Sequence, residues 1–183
     1  DITAEEWQQF VDRDVTPRFR DGLTVFDARG QWLGQNGQVV RQTWGSHVLD
    51  IIYDNTGKPY ALNYDGTMYY YVLNLQGDVI AIVTTWGAAY GTYTYDAWGN
   101  VISQSGSIAS INPIRYRGYY YDSETGLYYL QSRYYDPQVR RFVNADGYAS
   151  VGQGFIGYNM FAYCINNPVA GIDATGEMCG ADD

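Results

Sequence analysis

The side chains that most often catalyse reactions or bind metals are scarce in this chain. It holds one histidine, His47, and two cysteines, Cys164 and Cys179. A structural zinc site needs four such ligands, and an activated serine or cysteine needs a base beside it. A metal site or a catalytic triad is therefore not expected, and no cofactor is predicted. Cys164 lies in the apolar run 160–165 and is predicted to be a buried thiol, with a disulfide to Cys179 as the alternative.

Aspartate is the other candidate for chemistry, and it follows tyrosine repeatedly. The spacing of these pairs is irregular, near 20 residues or its multiples in places. Because an aspartate side chain can accept hydrogen bonds from its own turn, each tyrosine is predicted to end a strand and each aspartate to cap the turn. The acidic turn 54–57 lacks the long loop of a dedicated calcium site. The pairs are Tyr53-Asp54, Tyr64-Asp65, Tyr95-Asp96, Tyr121-Asp122 and Tyr135-Asp136.

The composition of the chain limits the classes of binding partner that are expected. The net charge is −9, with a pI near 4.4, and such a surface repels nucleic acid and anionic lipid. The longest apolar stretch, Val79 to Val83, is far shorter than the roughly 20 residues of a membrane span. An apolar fraction of 46% and a charged fraction of 17% favour a folded globular chain. Neither nucleic-acid binding nor membrane insertion is expected.

The tyrosines are distributed unevenly along the 183 residues. All 20 lie between Tyr53 and Tyr163, whereas the first 50 residues use tryptophan and phenylalanine for aromatic bulk. This change predicts two segments of different origin, 1–48 and 49–183, with the seam near residues 42–49. A natural fusion and a non-catalytic chimera both fit the pattern.

The first segment reads as a small α+β unit. Thr3 and Glu6 form a capping box at the start of a predicted helix, and Pro17 marks the end of its apolar pattern. A strand is predicted over residues 23–27. A hairpin is predicted over residues 31–41, because Asn36-Gly37 suits a turn in which both residues have positive φ.

The second segment reads as a meander of short antiparallel hairpins, so the chain as a whole is predicted to be mainly β. Turn residues divide it at regular points, and Gly126 is expected to adopt the left-handed conformation. Tyrosine ladders are expected to form the sheet faces in place of a thick aliphatic core. Unpaired strand edges predict self-association. The predicted turns span residues 54–57, 76–78, 96–100 and 122–126.

Two resemblances extend this interpretation. Residues 16–42 resemble a family of small bacterial proteins of unknown function, often exported. Most of the second segment closely resembles the C-terminal core of the Rhs, or YD-repeat, proteins. The runs that carry this second resemblance are Tyr69 to Val83, Tyr93 to Ser103, Asn112 to Pro137 and Tyr158 to Gly176.

The Rhs resemblance implies an architecture and a role. Rhs-type proteins coil a β-sheet ribbon into a hollow shell that encloses a toxin, and they are exported or delivered. The resemblance thus implies a structural, encapsulating module of a secreted or cell-envelope toxin, whose partners are toxin cargo or its own shell repeats. With only a few repeats, the chain is expected to form an open curved sheet or a self-closed remnant, in effect a partial shell.

The same resemblance implies a self-cleavage centre of the aspartyl-protease type. Its carboxyl pair would be Asp146 and Asp173, with Arg133 as the supporting cation, and the cut would follow the motif that ends at Gly176 and Glu177. Two carboxylates within about 3 Å cannot both ionise, so one serves as acid and the other as base.

Three positions depart from the family pattern. Ala174 replaces a proline, Glu177 replaces an apolar residue, and Arg140 replaces a glycine. In the alternative interpretation both aspartates of the pair are turn caps.

A function of a different class is also compatible with the sequence. Exposed tyrosine and tryptophan rings could stack on the sugars of a cell-wall glycan, which would make the chain an extracellular binding module. Trp7 and Trp32 are candidate platforms, although packing in the core or an interface is the commoner use of such residues. No particular carbohydrate-binding set is predicted.

Overall fold

The computed structural model describes residues 3, 30–34, 37–146, 159–177 and 180–181. The predicted N-terminal helix and the predicted strand at residues 23–27 lie outside these ranges. Among the described residues, no helix has the length and apolarity that a membrane span requires.

Eight strands form one antiparallel sheet in chain order, which confirms the predicted mainly β meander. Each strand from β2 to β7 pairs with the strand before it and the strand after it, while β1 and β8 form the two edges. The strands are β1 (Gly30–Leu33), β2 (Val39–Trp44), β3 (His47–Tyr53), β4 (Pro59–Tyr64), β5 (Thr67–Leu73), β6 (Val79–Val83), β7 (Ala89–Tyr95) and β8 (Val101–Ser105). The predicted hairpin at residues 31–41 is present as β1 and β2, and its turn residues 35 and 36 are outside the description.

A five-residue turn recurs between these strands. Its first residue donates its backbone N–H to the carbonyl of the fifth, and a glycine at the fourth position donates back to the first. These glycines have φ of 79° to 90°, a region that residues with a Cβ adopt at a cost. A register shift precedes each turn. The turns span residues 54–58, 74–78, 84–88 and 96–100.

The predicted capping by aspartate is confirmed at four of the five Tyr-Asp pairs. The Oδ1 atoms of Asp54, Asp96, Asp122 and Asp136 each accept the backbone N–H two residues later. Asp65 differs, because it lies in a tight two-residue turn and its carboxylate instead binds the backbone N–H of Val48 and the ring of His47.

The segment 106–119 covers the inner face of this sheet. Its residues Ile108, Ala109 and Ile114 are at most 3% exposed and pack against aliphatic side chains of the strands, such as Leu49 and Leu62. The expectation of a thin sheet without an aliphatic core was therefore wrong for this face. The sheet has a mixed core because the chain folds back over it after β8.

A second, smaller sheet follows. Its strands are β9 (Tyr120–Asp122), β10 (Leu127–Tyr129), β11 (Tyr134–Asp136) and β12 (Arg141–Phe142), in the order β12-β11-β10-β9. The Asp122–Gly126 turn joins β9 to β10 as predicted, with Gly126 at φ 77°. Cross-strand tyrosine pairs occupy the sheet, including Tyr128 opposite both Tyr121 and Tyr135. A further hairpin pairs β13 (Gly171–Ile172) with β14 (Gly180–Ala181).

The two sheets interlock at the turn 96–100. Three tyrosine hydroxyls from the second sheet and its approach donate to consecutive carbonyls of this turn. Tyr116 binds the carbonyl of residue 97 at 2.9 Å, Tyr135 that of residue 98 at 2.8 Å, and Tyr128 that of residue 99 at 2.8 Å. Because buried polar groups need hydrogen-bond partners, each of these bonds satisfies a tyrosine hydroxyl and a backbone carbonyl at the same time.

The predicted seam falls within the first sheet. The boundary between residues 48 and 49 lies inside β3, and strands on both sides of it belong to the same meander. The division into segments 1–48 and 49–183 concerns the origin of these two parts of the chain, and it stays a prediction.

Candidate functional site

Arg133 lies at the centre of the predicted carboxyl site. The loop between β10 and β11 carries it, and its side chain is 7% exposed. One terminal nitrogen, Nη1, lies 3.0 Å from Oδ2 of Asp146, and the other, Nη2, lies 3.1 Å from Oδ2 of Asp173. Its Nε donates to the carbonyl oxygen of Gly176. The guanidinium also stacks on Phe142, with Cζ 3.6 Å from the ring centroid, which fixes its plane.

Asp173 is almost fully enclosed, with 2% of its side chain exposed. Its Oδ1 accepts the backbone N–H of Gly176 at 2.8 Å, so it caps its own turn while Oδ2 binds Arg133. The hydroxyl of Tyr119 holds its backbone on both sides, accepting from the N–H at 3.2 Å and donating to the carbonyl at 2.9 Å. Both oxygens of this carboxyl thus accept hydrogen bonds, which suits its ionised form.

Asp146 approaches Arg133 from the segment that follows β12. Its backbone N–H donates to the carbonyl of Met160 at 2.9 Å, and the same carbonyl accepts from Nη1 of Arg133 at 3.2 Å. The side chain of Asp146 is 14% exposed, so water reaches it more readily than it reaches Asp173.

The residues before the predicted cut run along the loop that carries Arg133. The carbonyl of Thr175 accepts from both the N–H and the hydroxyl of Ser132, at 3.1 and 2.7 Å. Gly176 has φ 77°, and a Cβ added to it would lie 2.7 Å from the Ser132 hydroxyl. Only glycine fits here without a shift. Glu177, by contrast, is exposed.

The structure therefore brings Arg133, Asp146, Asp173 and Gly176 into one contact network. Sequence reasoning did not find Tyr119, Ser132 or Phe142, which hold this network in place. Tyr119 lies in a run of three tyrosines, and no feature of the run distinguishes it. Ser132 contacts Thr175 and Phe142 contacts Arg133 only in the folded chain, so the sequence gives no sign of these contacts.

Buried tyrosines surround the network. Tyr119 and Tyr163 contact each other through their hydroxyls at 3.0 Å, and both are at most 5% exposed. Burial raises the pKa of both phenols well above the usual value, because a phenolate would lose its hydration. These groups therefore stay neutral at physiological pH and act as hydrogen-bonding partners.

The other candidate residues lie elsewhere. His47 contacts Asp65 at 2.6 Å and Tyr64 at 3.1 Å on an exposed end of the first sheet. Cys164 is buried, 3% exposed, while Cys179 is outside the described residues. Within the described residues, no three His, Cys, Asp or Glu side chains cluster as metal ligands would.

The aromatic side chains mostly serve the core. Among the described residues, four tyrosine or tryptophan side chains are clearly exposed, and they lie on different elements: Tyr60 on β4, Trp86 in the turn after β6, Tyr90 on β7 and Tyr134 on β11. The side chains of Trp7 and Trp32 lie outside the description. Glycan binding stays a prediction.

The sequence of the chain matches two known families. Residues 42–169 match the family described as Teneurin YD-shell, and the chain belongs to that family. Residues 1–63 match a second family, described only as a protein of unknown function. Both resemblances expected from the sequence are confirmed, and the two matches overlap in the region of the predicted seam.

This chain spans only part of the length of the relatives that it matches. The tRNA nuclease WapA of Bacillus subtilis is 34% identical over 168 residues, which cover 82% of this chain and 7% of the nuclease. The putative uncharacterized protein YibJ of Escherichia coli is 32% identical over 92% of this chain and 64% of its own length. A solved structure of the Photorhabdus luminescens Tc holotoxin pore has a similar fold, with a TM-score of 0.60 and 21% identity, over 86% of this chain and 9% of that one.

Proposed function

We propose that this chain is a shell module of a larger secreted or cell-envelope toxin and that it cuts its own backbone after Glu177. Two findings support the first part. The chain belongs to the YD-shell family, and it spans only a small share of a nuclease relative. The observation that carries the second is Arg133, which binds Asp146, Asp173 and the carbonyl of Gly176 at the same time.

Within this proposal the two carboxyl groups have different roles, which we infer from their contacts. Asp173, whose oxygens both accept hydrogen bonds, is the base that takes a proton from the attacking water. Asp146, which is more accessible to solvent, takes up a proton from water and acts as the acid that protonates the amide nitrogen of Met178. Water adds to the carbonyl carbon of Glu177 and the C–N bond breaks. The products are a carboxyl group on Glu177 and an amine on Met178.

The structure also supports the positioning that such a reaction needs. Holding the reacting segment beside the carboxyl pair replaces an encounter in solution by a fixed geometry. Ser132 binds Thr175, Arg133 binds Gly176 and Asp173 caps the turn, so three consecutive points before the cut are fixed. Glu177 opposes the reaction, because its carboxylate adds a negative charge to the segment that is cut.

Intact mass over time tests self-cleavage. The parent chain is incubated between about pH 4 and pH 7 beside Asp173→Asn, Asp146→Asn and Glu177→Leu, since general acid–base catalysis depends on protonation. We expect loss of the residues after Glu177 in the parent, faster loss in Glu177→Leu, and none in the two asparagine variants. Asp136→Asn is the matched control, because Asp136 caps a turn through the N–H groups of Gln138 and Val139.

Two results would overturn this proposal. The first is a full-length mass in both the parent and Glu177→Leu, which would leave Asp146 and Asp173 with a purely structural role. The second is cleavage of Asp173→Asn at the rate of the parent and of the Asp136→Asn control.

The shell role predicts contacts through strand edges. In the part of the chain that the structure describes, β8 pairs with β7 alone, and Ile102 on β8 is 69% exposed. We propose that neighbouring shell repeats add to this edge. Light scattering at rising concentration should show association that Ile102→Lys reduces and Ile80→Lys, on the interior strand β6, leaves unchanged. A single-chain mass at every concentration would contradict the edge contact.

A further inference from the structure

Tyr129 and Tyr134 face each other across the hairpin formed by β10 and β11. They are direct partners in the register, their ring centroids are 5.3 Å apart, and the rings are inclined by 44°. We propose that this pair is an oxidative cross-linking site, at which a peroxidase using hydrogen peroxide joins the two rings into dityrosine. The inference is independent of self-cleavage, because no step uses Asp146 or Asp173.

Access by an oxidant distinguishes this pair from most of the tyrosines. Tyr134 is 42% exposed and Tyr129 is half-buried. Tyr135 and Tyr163 lie closer together, with centroids 4.3 Å apart, but both are fully buried. Tyr128 is also fully buried, and its hydroxyl donates to a backbone carbonyl.

Ring orientation separates the pair from another tyrosine pair with an exposed ring. Tyr60 and Tyr70 have centroids 5.8 Å apart, but their planes meet at 83°, so the edge of one ring points at the face of the other. Coupling requires two ring edges to meet, since the new bond joins carbons adjacent to the hydroxyls. The planes of Tyr129 and Tyr134 are inclined by only 44°, so a small rotation brings the two ring edges together.

The reaction balances without a bound cofactor. The peroxidase removes one electron and one proton from each phenol, and hydrogen peroxide is reduced to two molecules of water. The two phenoxyl radicals then form one carbon–carbon bond, and each ring hydrogen moves back to its oxygen. The chain thus loses two hydrogen atoms and gains one cross-link, which closes the loop that carries Arg133.

Trypsin makes the cross-link easy to locate. Arg117, Arg133 and Arg140 are cleavage points, so digestion separates residues 118–133 from residues 134–140. The parent chain is treated at low concentration with horseradish peroxidase and hydrogen peroxide, then unfolded and digested. We expect a monomer two hydrogens lighter, in which these two peptides remain joined.

Phenylalanine variants complete the test, because they keep the ring and remove the hydroxyl. Tyr134→Phe and Tyr129→Phe should each abolish the joined peptides, and Tyr60→Phe should leave them unchanged. Oxidised monomer with the same yield in Tyr134→Phe, cross-linked dimers alone, or no loss of hydrogen from the parent would each overturn the proposal.

Discussion

Gly99 lies directly against the ring of Tyr116. A Cβ built on Gly99 would be 2.7 Å from Cδ1 and 2.8 Å from Cγ of this ring. The hydroxyl of the same tyrosine donates to the carbonyl of residue 97 in the same turn. Tyr116 therefore covers the glycine and bonds the turn, and this double contact helps to fix the first sheet to the second.

Gly99→Ala should destabilise the fold strongly. Gly99 has φ 90°, which costs an alanine about 1 to 2 kcal/mol, and displacing the ring of Tyr116 adds about 1 to 3 kcal/mol. We expect a loss of about 2 to 5 kcal/mol in the free energy of unfolding, measured by urea denaturation. Gly87→Ala is the matched control, with φ 79° and no atom within 4 Å, and should lose about 1 kcal/mol. Equal losses in the two variants would contradict the contact.

Tyr128→Phe should show what one interlocking hydroxyl contributes. Its removal leaves the buried carbonyl of Gly99 without that donor, and such a loss costs about 1 to 3 kcal/mol. Tyr134→Phe, at an exposed position, should change the free energy of unfolding by less than about 0.5 kcal/mol. A Tyr128→Phe chain as stable as the parent would show that water or another donor replaces the bond.

The hairpins were predictable because their determinants are local. Asp54, Asp96 and Gly126 act within five residues of their own position, and the sequence shows each of these neighbours. Asp65 was misjudged because its partners, His47 and Val48, belong to the preceding hairpin. The cover formed by residues 106–119 was missed for the same reason, since its partners lie on strands far away in the chain.

The candidate site depends on contacts between residues that are still farther apart in the sequence. Arg133 and Asp173 are 40 residues apart, and Tyr119 and Asp173 are 54 apart. No spacing or turn chemistry brings such residues together, so only family resemblance suggested Arg133, Asp146 and Asp173. Tyr119 was missed because, in a chain with 20 tyrosines, its residue type carries no information.

Arg140 offers a test of one departure from the family pattern. Its φ of 61° is left-handed, which favours the glycine expected from the family pattern, while its guanidinium lies 5.4 Å from the ring centroid of Trp98. We expect Arg140→Gly to be at least about 1 kcal/mol more stable than Arg140→Ala, because both lose the ring contact and only alanine keeps the strain. Urea denaturation of the two variants measures this difference. The opposite order would show that this turn relaxes.

Buried tyrosines should make the fold sensitive to alkali. Burial raises the pKa of Tyr119, Tyr128 and Tyr163 well above the usual value of a phenol. Because the folded pKa is raised, their contribution is complete below the unfolded pKa and is lost as the pH rises above it. Each group should steepen the fall by about 1.4 kcal/mol per pH unit above roughly pH 10.

Urea denaturation between about pH 8 and pH 11 measures this effect. At the low-pH end of this range the three tyrosines should not change the free energy of unfolding, and at the high-pH end they should lower it. The free energy of unfolding should recover when the sample returns to neutral pH. Tyr128→Phe should fall less steeply than the parent, because its unfolded chain releases one proton fewer. An identical slope in both chains would mean that Tyr128 ionises as readily when folded as when unfolded, and hence that water reaches its hydroxyl inside the interlock.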